Sequence, residues 1–155
     1  MSIPEYVQTL RAAVGHDLLW LPGVTAVVVR DDHVLLVRRA DNGAWTPVTG
    51  IIDPGEEPAV AGAREVLEEA SVVAVPERLT WVHALPPVVY DNGDHAQYLD
   101  HTFLFRYVSG EPFPADGENT EAAWFALDAL PPMSAEMHAR IASALAPAGP
   151  AVFVS

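Results

Sequence analysis

Gly50-Ile-Ile-Asp-Pro-Gly-Glu-Glu-Pro-Ala-Val-Ala-Gly-Ala-Arg-Glu-Val-Leu-Glu-Glu-Ala-Ser-Val72 is a glycine- and proline-bearing turn followed by a run of helix formers. On a helix from Pro58 to Ala70, at roughly 100° per residue, Ala59, Val60, Ala63, Val66, Leu67 and Ala70 fall within an arc of about 120°. That stripe is expected to face the core. Glu65, Glu68 and Glu69 fall within an arc of about 100° on the other side.

Three carboxylates on one face are poor helix design if the face meets only water. Like charges at i,i+3 and i,i+4 each cost a few tenths of a kcal/mol. Anions in the last turn also oppose the helix dipole. A divalent cation among the carboxylates removes both penalties, because hard ions such as Mg²⁺ take oxygen ligands. A solvated acidic face is the simpler account of a charge run in general. Here the glycine turn ahead of it and the single arginine within it, Arg64, favour the metal.

The same residues resemble the signature of the Nudix hydrolases. In that signature Gly is followed after five residues by Glu, and after seven more by Arg-Glu-aliphatic-x-Glu-Glu-x-Gly-aliphatic. Gly50, Glu56, Arg64, Glu65, Val66, Glu68, Glu69 and Val72 stand at that spacing, and Ser71 replaces the last glycine. No metal-ligating side chain is lost there. A helix-ending glycine usually takes the left-handed conformation, which costs another residue roughly 1 kcal/mol. The helix either ends differently or accepts that strain.

Working outward, 155 residues suit one domain with a proper core. Residues 1–20 read as a helix and connector, 21–146 as the core and 147–155 as a tail. No apolar run approaches the length of a membrane span. The first residues lack a signal-peptide pattern, and with no cysteine the cytoplasm is the expected compartment. A net charge of −13 argues against a nucleic-acid binder, which needs a basic patch. It suits a polyphosphate substrate only when metal is present.

Along the chain, residues 4–14 read as a helix that Gly15 ends. Leu18 to Leu21 read as an apolar connector, and Val24–Arg30 and Val34–Arg39 as a hairpin of strands. Trp45–Thr49 reads as a short strand. Val72–Val75 and Leu79–Tyr90 read as strands interrupted by Pro76 and Pro86-Pro87. The turn Asp91-Asn92-Gly93-Asp94 returns the chain into Gln97–Val108. A loop over 109–120, a strand Ala122–Leu127 and a helix from Ser134 to about Leu145 follow, the helix striped by Met137, Ile141 and Leu145. Val152-Phe153-Val154 calls for a surface to cover it. The order predicts an α/β fold, a mixed sheet with helices on both faces. The resemblance implies the same α/β/α sandwich.

The resemblance also implies an activity: hydrolysis, with Mg²⁺ or Mn²⁺, of a diphosphate bond in a nucleoside diphosphate derivative or nucleoside triphosphate. It makes Glu65, Glu68 and Glu69 the metal carboxylates, with Glu68 the chosen general base and Arg64 a catalytic partner that pairs with Glu56 or Glu68. It sets Gly50 against substrate, its peptide oxygen a further ligand candidate, and Arg39 against a substrate phosphate, the other reading of Arg39 being an ordinary exposed arginine at a strand end. Asp116, Glu118 and Glu121 are candidates for one further acidic residue. His95 and His101, six apart, share a sheet face if both lie in the strand. Trp45, Trp81, Tyr90 and Tyr98 are stacking candidates, although strand aromatics are usually core. The expected partner is a small nucleotide or nucleotide sugar, with no nucleic acid and no membrane. The first helix or the tail is the candidate surface for a homodimer. The alternative is a Nudix-fold binding or regulatory module without turnover, which would be expected to lose motif carboxylates.

Overall fold

A computed structural model describes residues 3–155. The elements run α1 (Glu5–Val14), β1 (Leu19–Arg30), β2 (His33–Arg39), β3 (Trp45–Thr46), β4 (Val48–Ile51), α2 (Pro58–Ala70), β5 (Val73–Ala84), β6 (Val88–Val89), β7 (His95–Ser109), β8 (Asn119–Ala126) and α3 (Ala135–Leu145). They make one mixed sheet with spine β3-β2-β1-β7-β5, to which β4, β6 and β8 add beside β1, β7 and β2. β1 and β7 are parallel, in register from Leu19 opposite Ala96 to Val29 opposite Arg106.

β1 reads as a continuous apolar run because it is covered on both faces. Ala26 and Val28 pack on the α2 side with Leu35, Val37, Val66, Ala70 and Phe105. Val27 packs on the other side with Val34, Leu36, Ile141 and Ala144, beneath α3. α1 lies across the strand ends, where Val7 meets Leu21 and Ala96. The result is the α/β/α sandwich.

Several boundaries differ from the sequence reading. The connector Leu19–Leu21 belongs to β1, recruited by its pairing with β7. Residues 45–49 form two strands, β3 on β2 and β4 on β1, broken at Pro47, which has no N–H to donate. β5 runs unbroken through Pro76 because it is the edge of the spine, where proline is tolerated, and register shifts occur beside it. Val152 of the tail bridges to Trp81 of β5, yet Phe153 and Val154 stay exposed.

The largest correction concerns the face of α2. The helix begins and ends as expected, but its buried residues are Ala61, Gly62, Glu65, Val66, Glu69 and Ala70. Val60 and Leu67 face outward, 59% and 53% exposed. The helix is rolled so that two glutamates lie against the protein. Gly62 permits this seating: a Cβ there would stand 2.7 Å from Phe105 Cζ.

α3 likewise buries Arg140, Ile141 and Ala144, and leaves Leu145 exposed. Arg140 is paired rather than stranded. Its Nη1 donates to Thr25 Oγ1 and lies 3.9 Å from Asp100, and its Nε donates to Glu136. Asp100 accepts from Thr25 and Thr102, both at 2.8 Å. A buried charge is tolerable only with such partners. Ser134 caps α3 by accepting from the Met137 N–H.

Candidate active site

The site is assembled by the end of β4, the loop to α2, the inward face of α2 and the segment before β8. Gly50 lies in β4, its Cα so close to the Glu65 carboxyl that a Cβ would overlap it. Its role is close approach; its φ is not in the left-handed region. The sharp turn belongs to Gly55, at φ +82°.

Arg64 sits at the centre. Nε and Nη2 donate to the two oxygens of Glu56, each at 2.9 Å. Nη1 donates to Glu65 Oε1 at 2.9 Å and Glu68 Oε2 at 3.2 Å. Nη2 also donates to Ile51 O at 3.3 Å. A guanidinium has five N–H donors, and these five contacts use them all. Glu56 in turn accepts from the Asp53 N–H. The Arg64 bonds hold the Glu56 carboxyl below its ordinary range, and Arg64 itself is raised, first by Glu56. Arg64 thus ties the loop to two of the three motif glutamates, Glu65 and Glu68.

Glu65 and Glu69 are buried, while the Glu68 side chain is 47% exposed. Burial raises Glu65 to about 7 against the opposing pull of Arg64, with Glu68 and Glu118 adding to the rise. Burial, then Glu65 and Glu118, raises Glu69 to about 8. Glu65 Oε2 is buried with no hydrogen-bond partner among the described residues. Glu69 Oε2 accepts from Asn119 Nδ2 at 3.2 Å.

Among the described residues, Glu69, Asp116 and Glu118 place carboxylate oxygens within 4.8 Å of one another. The turn at Gly117, φ +83°, separates the two loop acids. Glu121 is not brought in: it lies on β8 and pairs with Arg38 at 2.8 Å. This set of acids, with an orphaned buried oxygen beside it, fits a hard divalent cation in donor type and in charge.

Arg39 is held by Asp41 through Nε and Nη2, and that bond is the main cause of its raised pKa. Tyr90 and Glu69 lie within its electrostatic reach. Tyr90 and Tyr98 join hydroxyls at 2.6 Å. Trp45 is core, packed edge-on against Phe125, and Trp81 stacks on His83. His101 bonds Gly23 O and lines a cleft of about 390 Å³ with Tyr6 and Ile52, whereas His95 is exposed. Asn119 and Asp53 escaped the sequence reading. An amide at a strand start carries no spacing signal, and Asp53 reads as an ordinary turn residue.

Residues 20–146 match the NUDIX domain. The chain belongs to the Nudix family. It is 35% identical over 117 residues to an NAD-capped RNA hydrolase NudC of Pseudomonas aeruginosa, covering 74% of this chain but 39% of that protein. A MutT-like protein of Streptomyces ambofaciens is 35% identical over 132 residues, covering 83% of this chain and 79% of that one. Among solved structures, a NUDIX hydrolase of Nitrosomonas europaea superimposes with TM-score 0.60 at 32% identity, covering 83% of this chain and 82% of that one. This Nudix chain thus spans about two fifths of the NudC protein and most of the other two. No helix among the described residues is long and apolar enough to cross a membrane.

Proposed function

We propose that the protein hydrolyses a diphosphate bond in a nucleoside diphosphate derivative or nucleoside triphosphate, with a divalent cation held by the α2 carboxylates. The observation that carries this reading is the burial of Glu65 and Glu69 against the sheet, with Asp116 and Glu118 converging on Glu69. Buried acids of one sign destabilise a fold and serve no packing purpose. A cation resolves the conflict.

Glu65, Glu68 and Glu69 would hold Mg²⁺ or Mn²⁺, with Asp116 and Glu118 the supporting acids. When bound, the ion neutralises phosphoryl oxygens and lowers the pKa of an attacking water. Glu68, the exposed member of the three, accepts the water proton. The water oxygen forms a bond to phosphorus, and the bridging P–O bond breaks with its electron pair leaving on the second phosphate. Arg64 is a positioning residue, because its donors are spent on protein acceptors. Arg39, within electrostatic reach of Glu69, is the side chain assigned here to a substrate phosphate.

The test is turnover with Mg²⁺ or Mn²⁺ on triphosphates, nucleotide sugars, ADP-ribose, dinucleoside polyphosphates and an NAD-capped RNA. At least one should release nucleotide or phosphate, and Glu69→Gln should weaken metal binding and slow that release. Metal binding without any turnover would leave a binding module. Absence of both metal binding and turnover would overturn the reading.

A further inference from the structure

We propose that Asn119 is the positioning residue of Glu69: its side-chain amide fixes the Glu69 carboxyl, so that a divalent cation meets that carboxyl already oriented. The inference rests on the metal-dependent reading above and adds to it a residue outside the motif that sets metal affinity.

The three α2 glutamates are not held alike. Arg64 donates to Glu65 and Glu68, and its remaining bonds go to Glu56 and Ile51 O rather than to Glu69. The last torsion of a glutamate side chain is broad and roughly two-fold, so a carboxyl that nothing holds turns freely. Among the described residues, the side chain that donates to Glu69 is Asn119, through Nδ2 to Oε2 at 3.2 Å. Both partners are buried, Asn119 at 7% and Glu69 at 4% exposure, so water does not compete for the bond.

A bulge aims the amide. Glu121 of β8 lies opposite Arg38 of β2, and Asn119 lies opposite Arg39, which leaves Thr120 as an extra residue. Side chains two apart on a regular strand share a face. Ala122 and Trp124 pack on the α2 side, so strict alternation would give that face to Thr120 and turn Asn119 away. The bulge reverses the two. Thr120 is exposed, with Oγ1 donating to Arg38 O at 3.4 Å, and Asn119 is buried against Glu69. The segment ahead of it is tied to the end of α2 by its backbone. The Phe113 N–H donates to Ala70 O at 3.0 Å, and the Ala115 N–H to Glu69 O at 3.4 Å.

An amide suits the place. It donates without carrying charge, so it orients Glu69 and leaves intact the negative charge that attracts a cation. A lysine or arginine there would compete with the ion, and an ionised acid would have nothing to donate. Hydrogen-bond partners of metal ligands commonly change metal affinity by about ten- to a hundredfold.

The experiment is calorimetric titration of the full chain with Mn²⁺. Asn119→Leu is close to asparagine in size and has no donor; Asn119→Ala is the second variant. Each should weaken Mn²⁺ binding roughly tenfold, with thermal melts in chelator confirming that it is folded. In a Glu69→Gln background the carboxylate to be oriented is gone, and Asn119→Leu should then cost no more than about twofold further. Turnover lost at limiting Mn²⁺ should return as Mn²⁺ is raised, because the ion then orients the carboxyl itself. Affinity within about twofold of wild type in both single variants overturns the assignment and leaves the metal reading standing. An equal loss in both backgrounds, or a rate that no Mn²⁺ concentration restores, overturns it as well, since the amide would then act on packing rather than on Glu69. A wild-type chain that binds no Mn²⁺ removes the metal reading and this assignment together.

Discussion

Gly50 and Glu65 occupy one space: the Cα of Gly50 faces the Glu65 carboxyl with no room for a Cβ between them. The contact sets where Glu65 lies, and Glu65 is both buried and, among the described residues, unpartnered at Oε2. Gly50→Ala should push that carboxylate aside. A displacement of about 1 Å in a reacting constellation costs on the order of a hundredfold in rate. Its stability cost should shrink by about 1 kcal/mol or more when Glu65 is already alanine, since the two changes share one contact. Urea unfolding of the two single variants and the double variant reads this. Equal costs in both backgrounds would show that the overlap is relieved elsewhere.

Arg64→Lys keeps the charge and loses the fork. An ammonium cannot span Glu56, Glu65 and Glu68 at once, because its three donors leave one point rather than a plane. Turnover should fall by about a hundredfold with KM little changed, as expected for lost orientation rather than lost substrate contact. Weaker pairing also removes the pull that opposes the rise in Glu65, so the acid limb of the rate profile should move to higher pH. An unshifted limb with normal turnover would contradict the positioning role.

The span of α2 was legible because Pro58 suits a first helical position and the motif sets its helix-ending residue at Ser71. Its orientation was not. Periodicity assigns the apolar arc to the core, and Val60 and Leu67 belong to that arc on any hydrophobic count. What overrode it is local geometry: Ala61 and Gly62 let the helix approach Val24 and Phe105 closely, which turns Glu65 and Glu69 inward. The Arg64–Glu56 pair was within reach of spacing and charge. The α3 network of Asp100, Thr25 and Arg140 was not, because it joins residues up to 115 apart in sequence.

The buried glutamates link pH to metal. Burial raises Glu65 to about 7 and Glu69 to about 8, from an ordinary value of 4.5. Each folded value exceeds the unfolded one, so the folded chain binds more protons across that interval. The stability these groups contribute is complete below about pH 4.5 and is lost as pH rises through about 7 and about 8. In chelator, the melting temperature should fall over this window. Mg²⁺ or Mn²⁺ should restore it most at the alkaline end, where the carboxylates are ionised and ready to bind. A melting temperature flat from about pH 5 to about pH 8 in chelator would rule out the linkage.

Ser71 accepts the strain that glycine avoids. It sits at φ +57° and ψ +25°, and its N–H still bonds Leu67 O at 3.1 Å. The left-handed conformation costs a non-glycine residue roughly 1–2 kcal/mol. Glycine adds about 0.4–1 kcal/mol of unfolded-state entropy in opposition. Ser71→Gly should therefore stabilise by about 0.5 kcal/mol, visible in a urea midpoint, with kcat unchanged. A loss of stability would mean that the serine hydroxyl contributes more than the strain removes.

Three acids after β7 compete for one role, and the fold separates them. Asp116 and Glu118 present oxygens to Glu69, while Glu121 spends its carboxylate on Arg38 at the protein surface. Asp116→Asn and Glu118→Gln should each weaken Mn²⁺ binding, by tenfold or more for the residue that supplies a ligand oxygen to the ion; second partners of metal ligands commonly matter by about ten- to a hundredfold. Glu121→Gln removes an exposed pair of the kind that contributes about 0–1 kcal/mol to stability and should leave metal affinity alone. Calorimetric titration of the three variants orders them. If Glu121→Gln alone weakens the metal, the loop must rearrange when the ion binds, and the convergence on Glu69 would not be the working site.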